Sequence, residues 1–181
     1  MRLLRLSACL AAAGFLAISV PPMTASAQQA SSIKGLALNN DQPIQIESDK
    51  LEIREQEKKA LFDGNVSVVQ GTMTLKSAHM VVFYKDGAGS ISSGGSDINR
   101  IEVSGKVSLL SGTQSATGET GFFDMRSELL VLEGKQVVLA DGPNVFTGCK
   151  LTVQMKNGQA KLDSCGGRVK IQLDPKSKKT N

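Results

Sequence analysis

The 181-residue chain has no Trp, one His and one Tyr, and aromatics make up only 4% of it. A lone His excludes the multi-histidine sites of most catalytic zinc and non-haem iron proteins. Three Cys are too few for a zinc ribbon or a four-thiolate cluster. Excess charge of one sign is also missing. The formal net charge is +4, of which Arg2 and Arg5 supply two. Lys176, Lys178 and Lys179 against Asp174 supply the other two, so the body between is neutral. A neutral body with few aromatics lacks the basic surface that nucleic-acid binding demands. There is no Gly-x-Ser-x-Gly elbow, no phosphate loop and no His-containing metal spacing. Ser31-x-x-Lys34 matches a nucleophile pattern only nominally, and His79 falls inside an apolar strand pattern. Asp49, Asp63, Asp124, Asp141 and Asp163 stand near turn residues, where Asp serves the backbone. The expectation is a protein that is not an enzyme, with no cofactor and no metal.

The beginning of the chain reads as an address. Arg2 and Arg5 precede an apolar run over residues 6–20, which at 15 residues is too short to span a bilayer comfortably. Pro21, Pro22 and the small-residue site Ala25-Ser26-Ala27 follow. This predicts a cleaved secretory signal over 1–27 and an exported chain that starts at Gln28. Leu6-Ser7-Ala8-Cys9 imitates a lipoprotein site, but the apolar run follows Cys9 instead of preceding it. Residues 28–41 and 174–181 read as tails, the second of them basic, and 85–99, rich in Gly and Ser, as a loop.

The remainder, 42–173, alternates with period two and shows no helical spacing. Ile44 and Ile46, Leu51 and Ile53, Val66 and Val68, and Met73 and Leu75 are the first such pairs. Ile101 and Val103, Val107 and Leu109, then Leu151, Val153 and Met155, continue the series to Val169, Ile171 and Leu173. Turn residues at short intervals make this an all-β chain of many short strands, in a sandwich, jelly roll or barrel. Three segments repeat weakly: GNVSVVQGTMTL from Gly64, GKVSLLSGTQSA from Gly105 and GKQVVLADGPNVF from Gly134. Each opens on Gly, runs through a short apolar strand and meets a second Gly seven or eight residues on. The pattern predicts hairpins stacked in one direction, with unpaired edges at both ends.

Once Cys9 leaves with the signal, Cys149 and Cys165 remain, an even number in an oxidising compartment, and a disulfide is expected. Asn157-Gly158 is a strong two-residue hairpin signal. It pairs Val153 with Leu162, Met155 with Ala160 and Leu151 with Ser164, which leaves Cys165 on the wrong face to meet Cys149. A bulge near residues 164–167 would reconcile the two signals.

QPIQIESDKLEI from Gln42, FDGNVSVVQGTMTLKSAHMVVFYKDG, the LLVLEG segment ending at Gly134 and the Lys-rich tail together resemble the OstA-like (LptA) family of lipopolysaccharide export proteins. The resemblance runs over nearly the whole exported chain. It implies a twisted, V-shaped β-jelly roll, open at both ends. It implies a periplasmic, non-enzymatic protein that stacks head-to-tail with itself through its terminal strands, near 43–47 and 168–173. Such a stack joins an LptC-like protein at the inner membrane to an LptD-like protein at the outer membrane, with lipopolysaccharide acyl chains in the apolar interior. The residues expected to line that groove are Ile44, Ile46, Leu51, Ile53, Phe62, Val66, Val68, Met73, Leu75, Val81, Phe83, Val103, Val107, Leu109, Phe123, Leu130, Leu132, Leu151, Val153 and Met155. The parity of 78–84 stays open, since Met80 and Val82 fit the inner face as well as Val81 and Phe83 do. Two alternatives stand beside this: an adaptor β-module that binds protein edges without lipid, and an LptC-like sister component.

Overall fold

Alternating apolar and polar residues with Gly at the corners favour hairpins, and hairpins are what the chain forms. The computed structural model describes Leu36 and residues 42–85 and 97–175. The signal segment 1–27, most of the 28–41 tail, most of the 85–99 loop and residues 176–181 lie outside the described residues. Among the described residues ten antiparallel strands make one sheet: β1 (Gln45–Glu47), β2 (Lys50–Arg54), β3 (Lys59–Gln70), β4 (Met73–Tyr84), β5 (Ile98–Ser111), β6 (Gln114–Asp124), β7 (Leu129–Asp141), β8 (Asn144–Gln154), β9 (Gln159–Asp163) and β10 (Lys170–Gln172). From β3 to β8 each strand pairs with its neighbours in the chain. β1 and β2 share the free edge of β3, and β9 and β10 share that of β8. The inner face of this single sheet packs on itself as a β-jelly roll, and its apolar side chains form one buried cluster.

The repeated segments have a structural meaning. Gly64 and Asn65 (φ 77 and 47) and Gly105 and Lys106 (φ 80 and 55) are left-handed pairs. Each sits where the strand register shifts, a β-bulge. The third segment, from Gly134, opens on a register shift as well. The second glycines, Gly71, Gly112 and Gly142, have φ near 57 and open two-residue turns. Positive φ at the first central residue alone is the II′ geometry that matches strand twist.

The bulges decide which side chains face inward. On β4 the inner face carries Met73, Leu75 and Ser77, and then, past the shift between Lys76 and His79, Met80 and Val82. Val81 and Phe83 were expected inside and are not. They pair with Leu61 and Glu102, and with Lys59 and Arg100, on the outer face.

The β8–β9 hairpin also differs from expectation. Its register pairs Leu151 with Leu162 and Val153 with Ala160, two residues away from the pairing that a two-residue turn gives. The loop is four residues long, 155–158. Met155 is drawn out of the ladder because its N–H donates to Glu128 O at 2.8 Å and its side chain is buried in the core. Gly158 (φ 70) then donates to Gln154 O, and Asn157 Oδ1 accepts from the Gln159 N–H. A tight turn at 164–167 follows, with Cys165 and Gly166 at φ 46 and 103 and the Gly167 N–H on Ser164 O. It brings Cys165 to Cys149 as a disulfide with Cα atoms 5.9 Å apart.

Candidate functional site: the apolar interior

Side chains in register across a sheet share a face, so the ladder can be followed as rungs. One inner rung runs Leu51, Phe62, Met80, Val103, Gly121, Leu132, Leu151, Leu162. Its neighbour runs Ile53, Ala60, Val82, Ile101, Phe123, Leu130, Val153, Ala160. Beyond the bulges a third runs Ile46, Val68, Leu75, Leu109, Ala116, Leu139, Phe146, Ile171. No rung contains an ionisable side chain. The buried polar residues among those described are neutral: Gln70, Ser77 and Ser111. Ser77 Oγ donates to His79 O at 3.1 Å, Gln70 Nε2 to Gln42 O at 3.0 Å, and Ser111 Oγ lies 3.3 Å from Thr72 Oγ1.

Of the residues expected to line the groove, thirteen belong to the buried cluster: Val66, Val68, Met73, Leu75, Val103, Val107, Leu109, Phe123, Leu130, Leu132, Leu151, Val153 and Met155. Ile44, Ile46 and Phe62 pack against it half-buried. Leu51 and Ile53 lie on the inner face by register, yet they are 51% and 39% exposed. They stand at the margin, where β2 has a neighbour on one side only. Val81 and Phe83 are outside, as described. Sequence reasoning missed Leu36, Met80, Val82, Ile101, Ala116, Val137 and Leu139 as members of the cluster. Met80 and Val82 were visible as the other parity of their strand. Leu36 had no signal, since it stands in a segment with no strand pattern.

Gly121 keeps the middle of its rung thin. A Cβ there would lie 2.8 Å from Val131 O and collide with the Leu132 side chain. The two margins, β1 with β2 and β9 with β10, are the ends of the strand order, and among the described residues no ladder joins one to the other. The three rungs are thus apolar along their whole length and end at margins of part-exposed aliphatic side chains.

The outer face carries the charge. Arg54 donates to Glu52 at 2.7 Å and holds its carboxyl below the usual carboxylate range. Lys59 does the same to Glu57. Lys150 pairs with Glu133 at 2.7 Å, which raises the lysine. Arg100 donates to Glu102 and lies 3.9 Å over the ring of Phe122. A depression of about 310 Å³ on this face is lined by His79, Arg100, Glu102, Thr120, Phe122 and Glu133 among others. Its charged groups already have partners, and His79 pairs with Asp63. Exposed pairs of this kind contribute little to stability. Among the described residues no three His, Cys, Asp or Glu side chains converge as a metal site.

Known proteins share this architecture. The family model described as "LptA/(LptD N-terminal domain) LPS transport protein" matches residues 45–159. An uncharacterised protein of Rhizobium meliloti (strain 1021) is 61% identical over 180 residues, covering 99% of this chain and 96% of that one. A second, from Rhizobium etli, is described as an uncharacterised protein in the 5′ region of an rpoN-linked probable transport protein. It is 77% identical over 44 residues, 24% of this chain and 82% of its own. The crystal structure of LptH superposes with a TM-score of 0.62 at 18% identity, covering 75% of this chain and 97% of that one. LptH is described there as the LptA-homologous periplasmic component of the lipopolysaccharide transport device of Pseudomonas aeruginosa. At that identity the likeness shows a common fold.

Proposed function

The chain belongs to the LptA/LptD N-terminal domain family of LPS transport proteins, and from that premise we propose that it is a periplasmic carrier that shields lipopolysaccharide acyl chains in its interior. In this reading it works as a bridge between an LptC-like protein at the inner membrane and an LptD-like protein at the outer membrane. Copies of the chain associate end to end through the terminal strands by β-augmentation.

One observation carries the proposal: three inner rungs free of ionisable side chains, ending at margins that the ladder does not join. Each CH₂ of an acyl chain removed from water is worth about 0.8 kcal/mol, so one chain crossing an aqueous gap bare costs on the order of 10 kcal/mol. An apolar volume reached through a seam removes that cost without recognising sugars or phosphates. It needs no catalytic group. The seam residues, Leu51, Ile53, Ile46 and Ile171, are already part-exposed and offer the first contact.

A second reading, an adaptor module that joins protein edges and binds no lipid, draws support from the complete burial of Phe123, Leu130, Leu132 and Leu151. Photo-crosslinking in cells from positions 123, 46 and 51, with Glu52 on the opposite face as control, separates the two. A lipopolysaccharide adduct at the inner positions and none at Glu52 supports the carrier. Adducts at none of them leave the adaptor.

A further inference from the structure

Both margins change strand opposite a bulge, and each crossing is pinned. On β3, residues 59–63 pair with β2 and 67–69 with β1. The chain crosses at Asp49, whose N–H donates to Gly64 O at 2.9 Å and whose carboxylate accepts from Asn65 Nδ2 at 2.8 Å. On β8, residues 150–154 pair with β9 and 145–147 with β10. There the pin is covalent, the Cys149–Cys165 bond, and only residues 166–169 separate it from β10.

The ladder that β10 makes with β8 is short. It has three rungs, to Thr147, Phe146 and Val145, and all three of its residues are exposed. Ile171 and Leu173 are 60% and 64% exposed, so they contribute little burial. The Asp174 N–H adds a hydrogen bond to Asn144 Oδ1 at 3.1 Å. Cys165 is held at φ 46, a conformation that L-residues other than Asn and Asp avoid. β10 is nonetheless the last strand of the order, so its outer backbone edge is the one a further strand would meet.

We propose that the Cys149–Cys165 bond is a redox-sensitive lock on this terminal edge. While it is closed, β10 lies on β8 and offers its outer edge to a strand of a second copy. When it is opened, β10 leaves β8 and that docking is lost. The inference rests on the end-to-end association proposed above. Opening needs an external dithiol in the exported compartment. One of its thiolates attacks Sγ of Cys165, the exposed partner, and Cys149 departs as a thiolate. The second thiol of the reagent then closes on the mixed disulfide and releases Cys165. The dithiol is oxidised by two electrons and the protein gains two thiols.

The test uses the exported chain, oxidised, reduced with dithiothreitol, reoxidised, and as Cys149→Ser/Cys165→Ser. Hydrogen exchange reads β10, and light scattering over a concentration series reads association. Opening the bond speeds exchange at Lys170 and Gln172, the β10 residues paired with Thr147 and Val145, by at least about tenfold, leaves the amides of Leu109 and Leu132 unchanged, and weakens association by a similar factor; reoxidation restores both. Unchanged β10 exchange on reduction overturns the lock, and so does equal association of the two forms. Faster exchange in the core as well as in β10 also overturns it, because the bond is then a staple of the whole fold. A protein that is monomeric in every state while β10 still responds overturns the end-to-end reading and the docking role built on it.

Discussion

Replacing Leu51 and Ile53 together by Ser separates lipid contact from folding. Fully burying a Leu or Ile side chain is worth about 1.5–3 kcal/mol. Half of Leu51 and four-tenths of Ile53 are exposed on the inner side of the sheet. An acyl chain that covers them therefore gains about 1 kcal/mol from each. Losing both weakens acyl binding by about 2 kcal/mol, or about 30-fold. The cost to stability comes only from the part already buried, half of Leu51 and six-tenths of Ile53, and is about 2–3 kcal/mol. Phe123→Ala is the contrasting variant. Phe123 is fully buried, so its truncation costs about 3–5 kcal/mol and lowers the melting temperature by about 10 °C or more. Titration with a fluorescent fatty acid displaced by lipopolysaccharide measures binding, and thermal unfolding followed by circular dichroism measures stability. An affinity within about threefold of the parent for the double Ser variant refutes the reasoning. A melting temperature as low as that of Phe123→Ala refutes it as well.

Two other outcomes follow from local geometry. Gly64→Ala places a Cβ against the Asp49 carboxylate at a left-handed φ of 77, so it costs about 1–3 kcal/mol in urea unfolding and speeds exchange in β1 and β2 before it does so elsewhere. At the β6–β7 corner the Asp124 carboxylate accepts the Ser127 and Arg126 N–H groups at 2.8 and 3.1 Å, and the Ser127 bond foremost holds it below the usual range. A depressed carboxyl stabilises the fold above its unfolded-state value near 4 and loses that contribution as pH falls through its folded-state value. Asp124→Ala is thus less stable than the parent at pH 7, by less than about 1 kcal/mol because solvent screens the exposed carboxylate, and the gap narrows on acidification through and below that range. A gap that is constant from pH 7 to about pH 2 excludes the carboxylate as its source.

The strands were legible because one face of each is apolar, and period-two alternation survives in a single sequence. The glycine-led repeats were legible for a backbone reason: Gly64, Gly105, Gly71 and Gly112 occupy positive-φ positions at bulges and turns. Parity beyond a bulge was not legible. β4 changes face between Ser77 and Met80 where β3 and β5 on either side each carry one extra residue, so the cause lies about 15 and about 25 positions away in sequence. The β8–β9 register escaped for a similar reason. Asn157-Gly158 reads as a short turn until Glu128 O captures the Met155 N–H. Leu51 and Ile53 were placed on the correct face by alternation. Their exposure follows from the position of β2 at a margin, which alternation does not encode.

The order of the strands has a further consequence. From β3 to β8 the chain folds back and forth without a crossover, each strand resting on the one just made. Both margins are finished by short pieces that belong to the ends of the chain. A hairpin inserted at a II′ corner such as Gly112-Thr113 would therefore lengthen the stack by two staves and leave both closing edges as they are. The fold can grow in circumference by duplication of a bulge-and-corner unit of the kind already repeated from Gly64 and Gly105.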